Sequence, residues 1–405
     1  MKRVGILGGT FDPIHLGHLL LARAAYNELS LDKVLIMPSN NPPHKRNNSI
    51  SSNEDRLNMV KAAIRDIPYF EASDFEMQRD GITYTSDTLK LLNETYPDTR
   101  FFFIVGGDSI IHFESWHEPC TILKECALIA AGRDGYSKEE IQKQIEFLRD
   151  KYSGEGFTPE IYYLETPSFN ISSHEIRNYV SFGMSVDGFM PEEVTEYIKD
   201  KGLYLNPFYE KVKMELKGLL KPARYAHVLS VAQTAVYMAT AHLEDPVRAY
   251  TAGLLHDCAK FMNDEDMLKA AKDHNIELDD IEKRAVQLVH SKVGSVLAKE
   301  KYGIEDEEIL SAIWYHTTGH PNMTRLEKII YIADTVEPLR VWGEDNSELD
   351  IIRSVALSDL DKCLFLVLKH TNDYLNRTHK DNISDLTLKT YNYYKDELEA
   401  RKEGN

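Results

Sequence analysis

The sequence predicts two domains of different class, an α/β domain with a parallel sheet over residues 1–205 and an all-α helical bundle over residues 206–405. Three observations carry that expectation. The chain has 405 residues, more than one hydrophobic core usually organises. Up to about residue 205, short apolar runs alternate with stretches of helical periodicity. Beyond Asn206-Pro207 no run alternates convincingly as a strand.

In order, Arg3–Leu7, Lys33–Met37, Phe101–Val105, Ala127–Ala131 and Ile161–Leu164 read as strands. They are mostly apolar rather than alternating, as strands covered by helices on both faces are. Between them Leu19–Leu29, Asp55–Ile67 and Thr85–Thr95 have helical spacing, and Ser51 or Ser52 is the expected cap of the second. Ser173–Phe182, stopped by Gly183, and a helix opened by Pro191 and ending near Lys201-Gly202 complete the first part. The second part reads as helices over Phe208–Leu220, Arg224–His242, Pro246–Lys260, Glu265–His274, Asp280–Leu288, Lys292–Tyr302, Glu307–Tyr315, Arg325–Val336, Leu349–Asn376 and Ser384–Arg401.

Composition narrows the function classes. Net charge is −18, from 65 acidic against 47 basic residues, which disfavours duplex nucleic acid, a partner bound through many Lys and Arg contacts. Small phosphorylated ligands need only a few local donors. The run Phe101–Val105 is far short of a membrane span, so no membrane association is expected. Met1-Lys2-Arg3 leads directly into a short strand without the pattern of a signal peptide, so the expected compartment is cytoplasmic. Cys120, Cys126, Cys258 and Cys363 lack metal-knuckle spacing and read as buried structural thiols. Homo-oligomerisation is left open.

The first chemical signature is Gly8-Gly9-Thr10-Phe11-Asp12-Pro13-Ile14-His15-Leu16-Gly17-His18. A glycine turn after the first strand puts backbone near a ligand at the carboxyl end of the sheet, where open α/β folds bind nucleotides. His15 and His18, three apart, are expected on one face of the following helix, beside its N-terminus. An isolated H-x-G-H fits packed imidazoles equally well. The whole string, however, resembles the signature of the nucleotidyltransferase superfamily, and its wording is similar to bacterial nicotinate mononucleotide adenylyltransferases. The resemblance continues through Pro42-Pro43-His44-Lys45, Tyr84-Thr85-Ser86-Asp87-Thr88-Leu89, Gly106-Gly107-Asp108-Ser109, Trp116 and Ile171-Ser172-Ser173-His174-Glu175-Ile176-Arg177.

That resemblance implies a Rossmann-like nucleotidyltransferase domain that joins ATP to nicotinate mononucleotide with release of pyrophosphate, using Mg²⁺. It implies catalytic roles for His15, His18, Lys45 and Arg177. Gly8, Gly9, Thr10, Phe11, Thr85, Asp108, Trp116, Arg133 and Ser173 would bind ATP or the mononucleotide. Trp116 alone would fit a core aromatic and Lys45 a solvated loop charge. His174 stands where the family usually has threonine, and Asp134 where proline is common.

The second signature is His256-Asp257, with His227 before it and Asp334 after it, among apolar residues such as Leu254-Leu255 and Ile332-Ala333. Adjacent residues on a helix diverge by about 100°, so a shared metal needs further ligands from other helices. Charged groups facing a bundle interior need a metal or a partner. The order His227, His256-Asp257, Asp334 resembles the HD-domain phosphohydrolases. The strings Gly253–Lys260, His316-Thr317-Thr318-Gly319 and Ile332–Arg340 are similar to the YqeK-type branch, which splits diadenosine tetraphosphate into two ADP. The resemblance implies an HD-domain helical bundle with metal ligands His227, His256, Asp257 and Asp334. It implies a second metal or substrate phosphate at Lys260, His290, His316, Thr317 and Arg340, and iron, or else Mn²⁺ or another divalent ion. His379 reads as a structural or surface residue, with contact to the nucleotide as the alternative reading. Two other readings stay open: a nucleotide-sensing regulatory module, and hydrolysis of a different phosphate ester.

Overall fold

The computed structural model describes every residue except 41–49, 80, 82, 133–134, 155, 167–168, 170, 343–345, 380–382 and 404–405. It forms two compact units, Met1–Leu205 and Asn206–Asn405.

In the first unit, β1 (Lys2–Gly9), α1 (Leu16–Glu28), β2 (Lys33–Pro38), α2 (Asn53–Ile64), β3 (Phe70–Ala72), α3 (Thr85–Thr95) and β4 (Thr99–Val105) follow one another. Then come α4 (Gly107–Ile111), α5 (Pro119–Glu125), β5 (Ala127–Gly132), α6 (Lys138–Tyr152), β6 (Ile161–Glu165), α7 (Ser173–Phe182) and α8 (Glu192–Lys201). The strands form one parallel sheet in the order β3-β2-β1-β4-β5-β6. The parallel sheet expected from sequence is therefore present, with β3 added. That three-residue strand is too short to carry a period.

Both faces of the sheet are covered, and Ile6, Ile36, Phe101, Phe102, Leu128 and Ile129 lie in the core. Fully burying side chains of this size contributes about 1.5–3 kcal/mol each. Chain order reverses between β1 and β4, opening a crevice at their carboxyl ends. Helix ends follow local chemistry. Ser52 caps α2 by accepting from the Asp55 amide, and Gly183, at φ 74°, ends α7 in a conformation that glycine adopts without a Cβ penalty.

The second unit is helical among its described residues: α9 (Pro207–Leu219), α10 (Pro222–Ala241), α11 (Pro246–Leu255), α12 (Asp264–Asp273), α13 (His290–Glu300), α14 (Glu307–Tyr315), α15 (Arg325–Val336), α16 (Ser347–Val355), α17 (Leu360–Thr378) and α18 (Asp385–Glu403). At its centre α10 packs on α11 and α15, and α14 packs on α11, α13 and α15. A Cβ on Gly253 would stand 2.8 Å from the Ala232 Cα, so glycine is what lets α11 lie this close to α10.

Three expected helices differ from those observed. The helix from Pro246 stops at Leu255 rather than running to Lys260, and there the His256 imidazole bonds the Gly253 carbonyl at 2.7 Å. The 280–288 stretch is turns with one 3₁₀ turn, Val286–Leu288. The long helix expected over Leu349–Asn376 is two, because Asp359 accepts from the Lys362 amide and starts a new one.

Candidate active sites

At the crevice of the first unit lies a cavity of about 790 Å³, lined by the ends of β1 (Gly8, Gly9, Thr10) and β4 (Val105, Gly106), and by His18, Thr85, Asp108 and Trp116. Phe11, at φ 49°, turns the chain out of β1 and is buried behind the turn. His15 is the N-cap of α1 rather than a residue within it, so the two histidines reach one place by a route different from the expected helix face. His18 Nδ1 accepts from the His15 backbone N–H at 3.2 Å, and the rings stand 3.7 Å apart. An accepting Nδ1 fixes the tautomer of a neutral His18 and leaves Nε2–H as a donor.

Trp116 packs edge-on to Phe103, so one part of the ring joins the core while another lines the cavity. Thr85 opens α3, where helix amides lack intrahelical partners. Ser173 and Arg177 sit on α7, tied back to the first signature: Ser173 Oγ donates to the Pro13 carbonyl at 2.9 Å and Arg177 Nη1 to the Asp12 carbonyl at 2.6 Å. His174 Nδ1 lies 3.5 Å from Arg177 Nη2. Lys45, Arg133 and Asp134 fall outside the described residues.

Sequence reasoning missed Tyr84, His117 and Glu76 in this cavity lining. Tyr84 and His117 stack with centroids 4.2 Å apart. Glu76 is held by Thr88 Oγ1 at 2.8 Å, and burial pushes its carboxyl above the usual range. Of the three, only Tyr84 lay inside a motif already in view.

In the second unit His227 comes from α10, His256 and Asp257 from the turn after α11, His290 from the first residue of α13, His316 from the end of α14, and Asp334 from α15. His256 keeps helical backbone angles, φ −54° and ψ −38°, so the remaining candidate ligands come from α10, α13, α14 and α15. His256, His290 and His316 each place Nδ1 on a carbonyl three residues back, Gly253 at 2.7 Å, Gln287 at 2.5 Å and Ile313 at 2.7 Å. A carbonyl only accepts, so Nδ1 carries the proton and Nε2 of each neutral ring keeps a lone pair.

Those lone pairs converge. His290 Nε2 lies 3.1 Å and His316 Nε2 3.7 Å from Asp257 Oδ1, while His256 Nε2 is 3.6 Å from Asp257 Oδ2. His227 Nε2 is 3.0 Å from Asp334 Oδ1. Potential ligand atoms fall into two groups, His227 with His256 and Asp257, and Asp257 with His290 and His316, sharing Asp257. His290 and His316 face each other Nε2 to Nε2 at 3.0 Å, and His256 Nε2 is buried without a hydrogen-bond partner among the described residues. Two lone pairs at that distance need a cation or proton between them. The donor set fits a divalent metal.

Electrostatics agree with this arrangement. Burial lowers His256 and His290 to about 4. His227 goes the other way: burial is outweighed by its bonds to Asp334 and Glu337, and its pKa is raised. Asp257 and Asp334 stay well below the usual carboxylate range, because surrounding imidazoles, and Arg340 beside Asp334, overcome their burial.

Arg340 Nη2 reaches Asp334 Oδ1 at 2.7 Å, Lys260 Nζ lies 3.5 Å from the Gln287 carbonyl with its pKa lowered by burial, and Thr317 Oγ1 meets Ser291 Oγ at 3.1 Å. His379 lies at the end of α17 against Thr378 and Tyr374. Arg224 and Glu337 were missed. Arg224 Nη1 binds Asp257 Oδ2 at 2.8 Å, and buried Glu337 binds His227 Nδ1 at 3.0 Å. Arg224 stands three residues before His227 on α10 and Glu337 three after Asp334, just past the end of α15, and that spacing was the available signal.

Residues 6–179 match the cytidylyltransferase-like family profile, and residues 224–339 match that of the HD domain. The chain is 41% identical over 205 residues to the probable nicotinate-nucleotide adenylyltransferase of Lachnoclostridium phytofermentans, covering 51% of this chain and 100% of that protein. It is 41% identical over 203 residues to the corresponding probable enzyme of Desulfitobacterium hafniense, covering 50% of this chain and 96% of that one. Among solved structures, a predicted HD superfamily hydrolase involved in NAD metabolism from Clostridium acetobutylicum is 38% identical, with a TM-score of 0.44, covering 47% of this chain and 97% of its own. No helix among the described residues is long and apolar enough to cross a membrane.

Proposed function

The chain belongs, through residues 1–205, to the nicotinate-nucleotide adenylyltransferase family, and on that premise we propose a bifunctional enzyme of adenine-nucleotide metabolism. The first unit transfers AMP from ATP to nicotinate mononucleotide, releasing pyrophosphate. The second hydrolyses diadenosine tetraphosphate to two ADP.

In the first reaction a mononucleotide phosphate oxygen attacks the α-phosphorus in line as the bond to pyrophosphate breaks. Positioning and charge neutralisation supply the rate, without a protein nucleophile. Gly8, Gly9, Thr10, His15 and His18 hold the triphosphate, with His18 donating from Nε2. Ser173 and Arg177 add donors from α7. Lys45 and Arg133 contact substrate phosphates, Trp116 faces the pyridine ring, and Thr85 offers amides to its carboxylate. Asp108 takes a ribose hydroxyl or hydrated Mg²⁺.

For the second reaction the supporting observation is the convergence of His227, His256, Asp257 and Asp334, with His290 and His316 sharing Asp257. These six hold iron or another divalent ion, which when bound acidifies a water and offsets charge on the phosphate. The protein orients the ligands through the Nδ1 bonds. Lys260, Thr317 and Arg340 bind the polyphosphate.

The test measures pyrophosphate release from ATP plus nicotinate mononucleotide, and ADP release from diadenosine tetraphosphate, in wild type, His18→Ala and Asp257→Asn loaded with iron under reducing conditions. Each substitution should abolish one activity and spare the other. Binding of the tetraphosphate without cleavage would overturn the second half of the reading.

A further inference from the structure

Arg56, on α2, has 1% exposure although it carries a charge. Removing a guanidinium from water is tolerated when its donors are filled. Nη1 donates to the Thr10 carbonyl at 2.8 Å, Nε to the Ser51 carbonyl at 3.2 Å, and Nη2 to Asn53 Oδ1 at 2.5 Å and the Asn40 carbonyl at 3.3 Å. Asn53 Nδ2 donates to Asn40 Oδ1 at 2.6 Å, and Asn40 Nδ2 to the Arg79 carbonyl at 2.6 Å. The compensating negative charge is Asp12, itself buried and fixed by the Tyr204 hydroxyl at 2.7 Å.

These partners belong to separate pieces of chain. Thr10 follows the glycine turn, Asn40 follows β2, and Ser51 precedes α2. In a trans peptide the carbonyl and the following N–H point in opposite directions. Holding the Thr10 carbonyl on Arg56 therefore aims the Phe11 N–H away from the guanidinium, and fixes the peptide plane beside a residue that lines the cavity.

We propose that Arg56 is a positioning residue for adenylyl transfer, whose planar fork sets the turn at Thr10 in register with Asn40 and Ser51. The inference rests on the adenylyltransferase reading of the first unit. Arg56 touches no substrate; it acts through the turn. A lysine keeps the charge but lacks the fork, so it cannot hold three carbonyls in one plane.

The test uses the full chain. The kcat and KM for ATP are measured in wild type, Arg56→Met, Arg56→Lys and Asn53→Ala, each normalised to the fraction that melts cooperatively. Arg56→Met should lower kcat/KM for ATP by about 10²-fold, the scale of a misplaced reacting group. Arg56→Lys should recover less than a tenth of the wild-type value, and Asn53→Ala should show a smaller loss. In Arg56→Ala, guanidinium ion at millimolar concentration should raise the rate where ammonium does not. A role confined to stability would lower the melting temperature yet leave kcat and KM of the folded fraction unchanged, and that result overturns the proposal. So does full activity in Arg56→Lys. If Arg56→Met does not fold, unchanged constants in Asn53→Ala are the overturning result. An inactive wild type would instead count against the adenylyltransferase reading.

Discussion

Around the cavity at the ends of β1 and β4, the lining includes backbone turns, the imidazoles of His18 and His117, and the carboxylates of Glu76 and Asp108. Around the turn after α11, by contrast, imidazoles and carboxylates from α10, α13, α14 and α15 are buried with His256 and Asp257, and the carboxylates have charged partners: Asp257 has Arg224, Asp334 has Arg340 and His227. The first arrangement is an open cavity of about 790 Å³ with room for a large ligand. The second keeps its charge in pairs that a cation must take over. The two units thus show two electrostatic designs: one spreads donors over a cavity wall, and the other concentrates candidate metal ligands out of water.

The largest effect expected is from Asp257→Asn. Both ligand groups include this carboxylate, so hydrolysis should fall to background and bound metal, measured by elemental analysis, should drop at both. Retention of the full metal content would show that the two groups do not share it. Next, His18→Ala should reduce adenylyl transfer about 10²–10³-fold, as loss of one transition-state donor does, with hydrolysis unchanged. Equal loss of both activities would break the separation of the sites. Glu337→Gln tests the support behind a ligand: metal affinity, read by chelator competition, should weaken about 10–100-fold. Wild-type affinity in this variant would make the Glu337 contact incidental.

The pH response of the metal-free protein follows from the buried imidazoles. His256 and His290 are lowered from 6.5 to about 4, so between those values the unfolded chain binds more protons than the folded one. Their contribution is fully present above pH 6.5 and is lost as pH falls toward 4. Raised His227 contributes with the opposite sign, losing its part as pH rises through its elevated pKa. The melting temperature after chelation should therefore fall from pH 6.5 to 4, and a flat profile would contradict neutral buried rings. The smallest effect belongs to Lys90→Ala. Its bond to Glu118 is solvent-exposed, and neither melting nor either activity should change measurably.

Much of this was legible in the sequence where a local rule dominated. Mostly apolar β1, β2, β4 and β5 announced a parallel sheet, and Ser52, Gly183 and Asn206-Pro207 announced element ends by capping side chains or backbone freedom that act over three or four residues. The first signature named Gly8, Gly9, Thr10 and His18 of the cavity lining, and the second named His256 and Asp257. What escaped depends on contacts distant in sequence. Three-residue β3 exists only because β2 offers an edge, and no period fits in three residues. His15 reads as helical until its backbone is known to be extended at the cap. Glu337 and Arg224 take their meaning from His227 and Asp257 across the bundle, and Arg56 reads as an ordinary helix surface residue until Thr10 and Asn40 are seen to enclose it.

Tyr204 is the penultimate residue of the first unit, and its hydroxyl returns to Asp12 in the opening signature. Head and tail of that unit are stitched together inside it. Any cut near the end of the unit therefore has to respect that tie. A boundary set after Leu205 keeps the stitch, whereas one set two residues earlier severs the tie that anchors the counter-ion of Arg56. Modularity here has an address, and it is a single phenol.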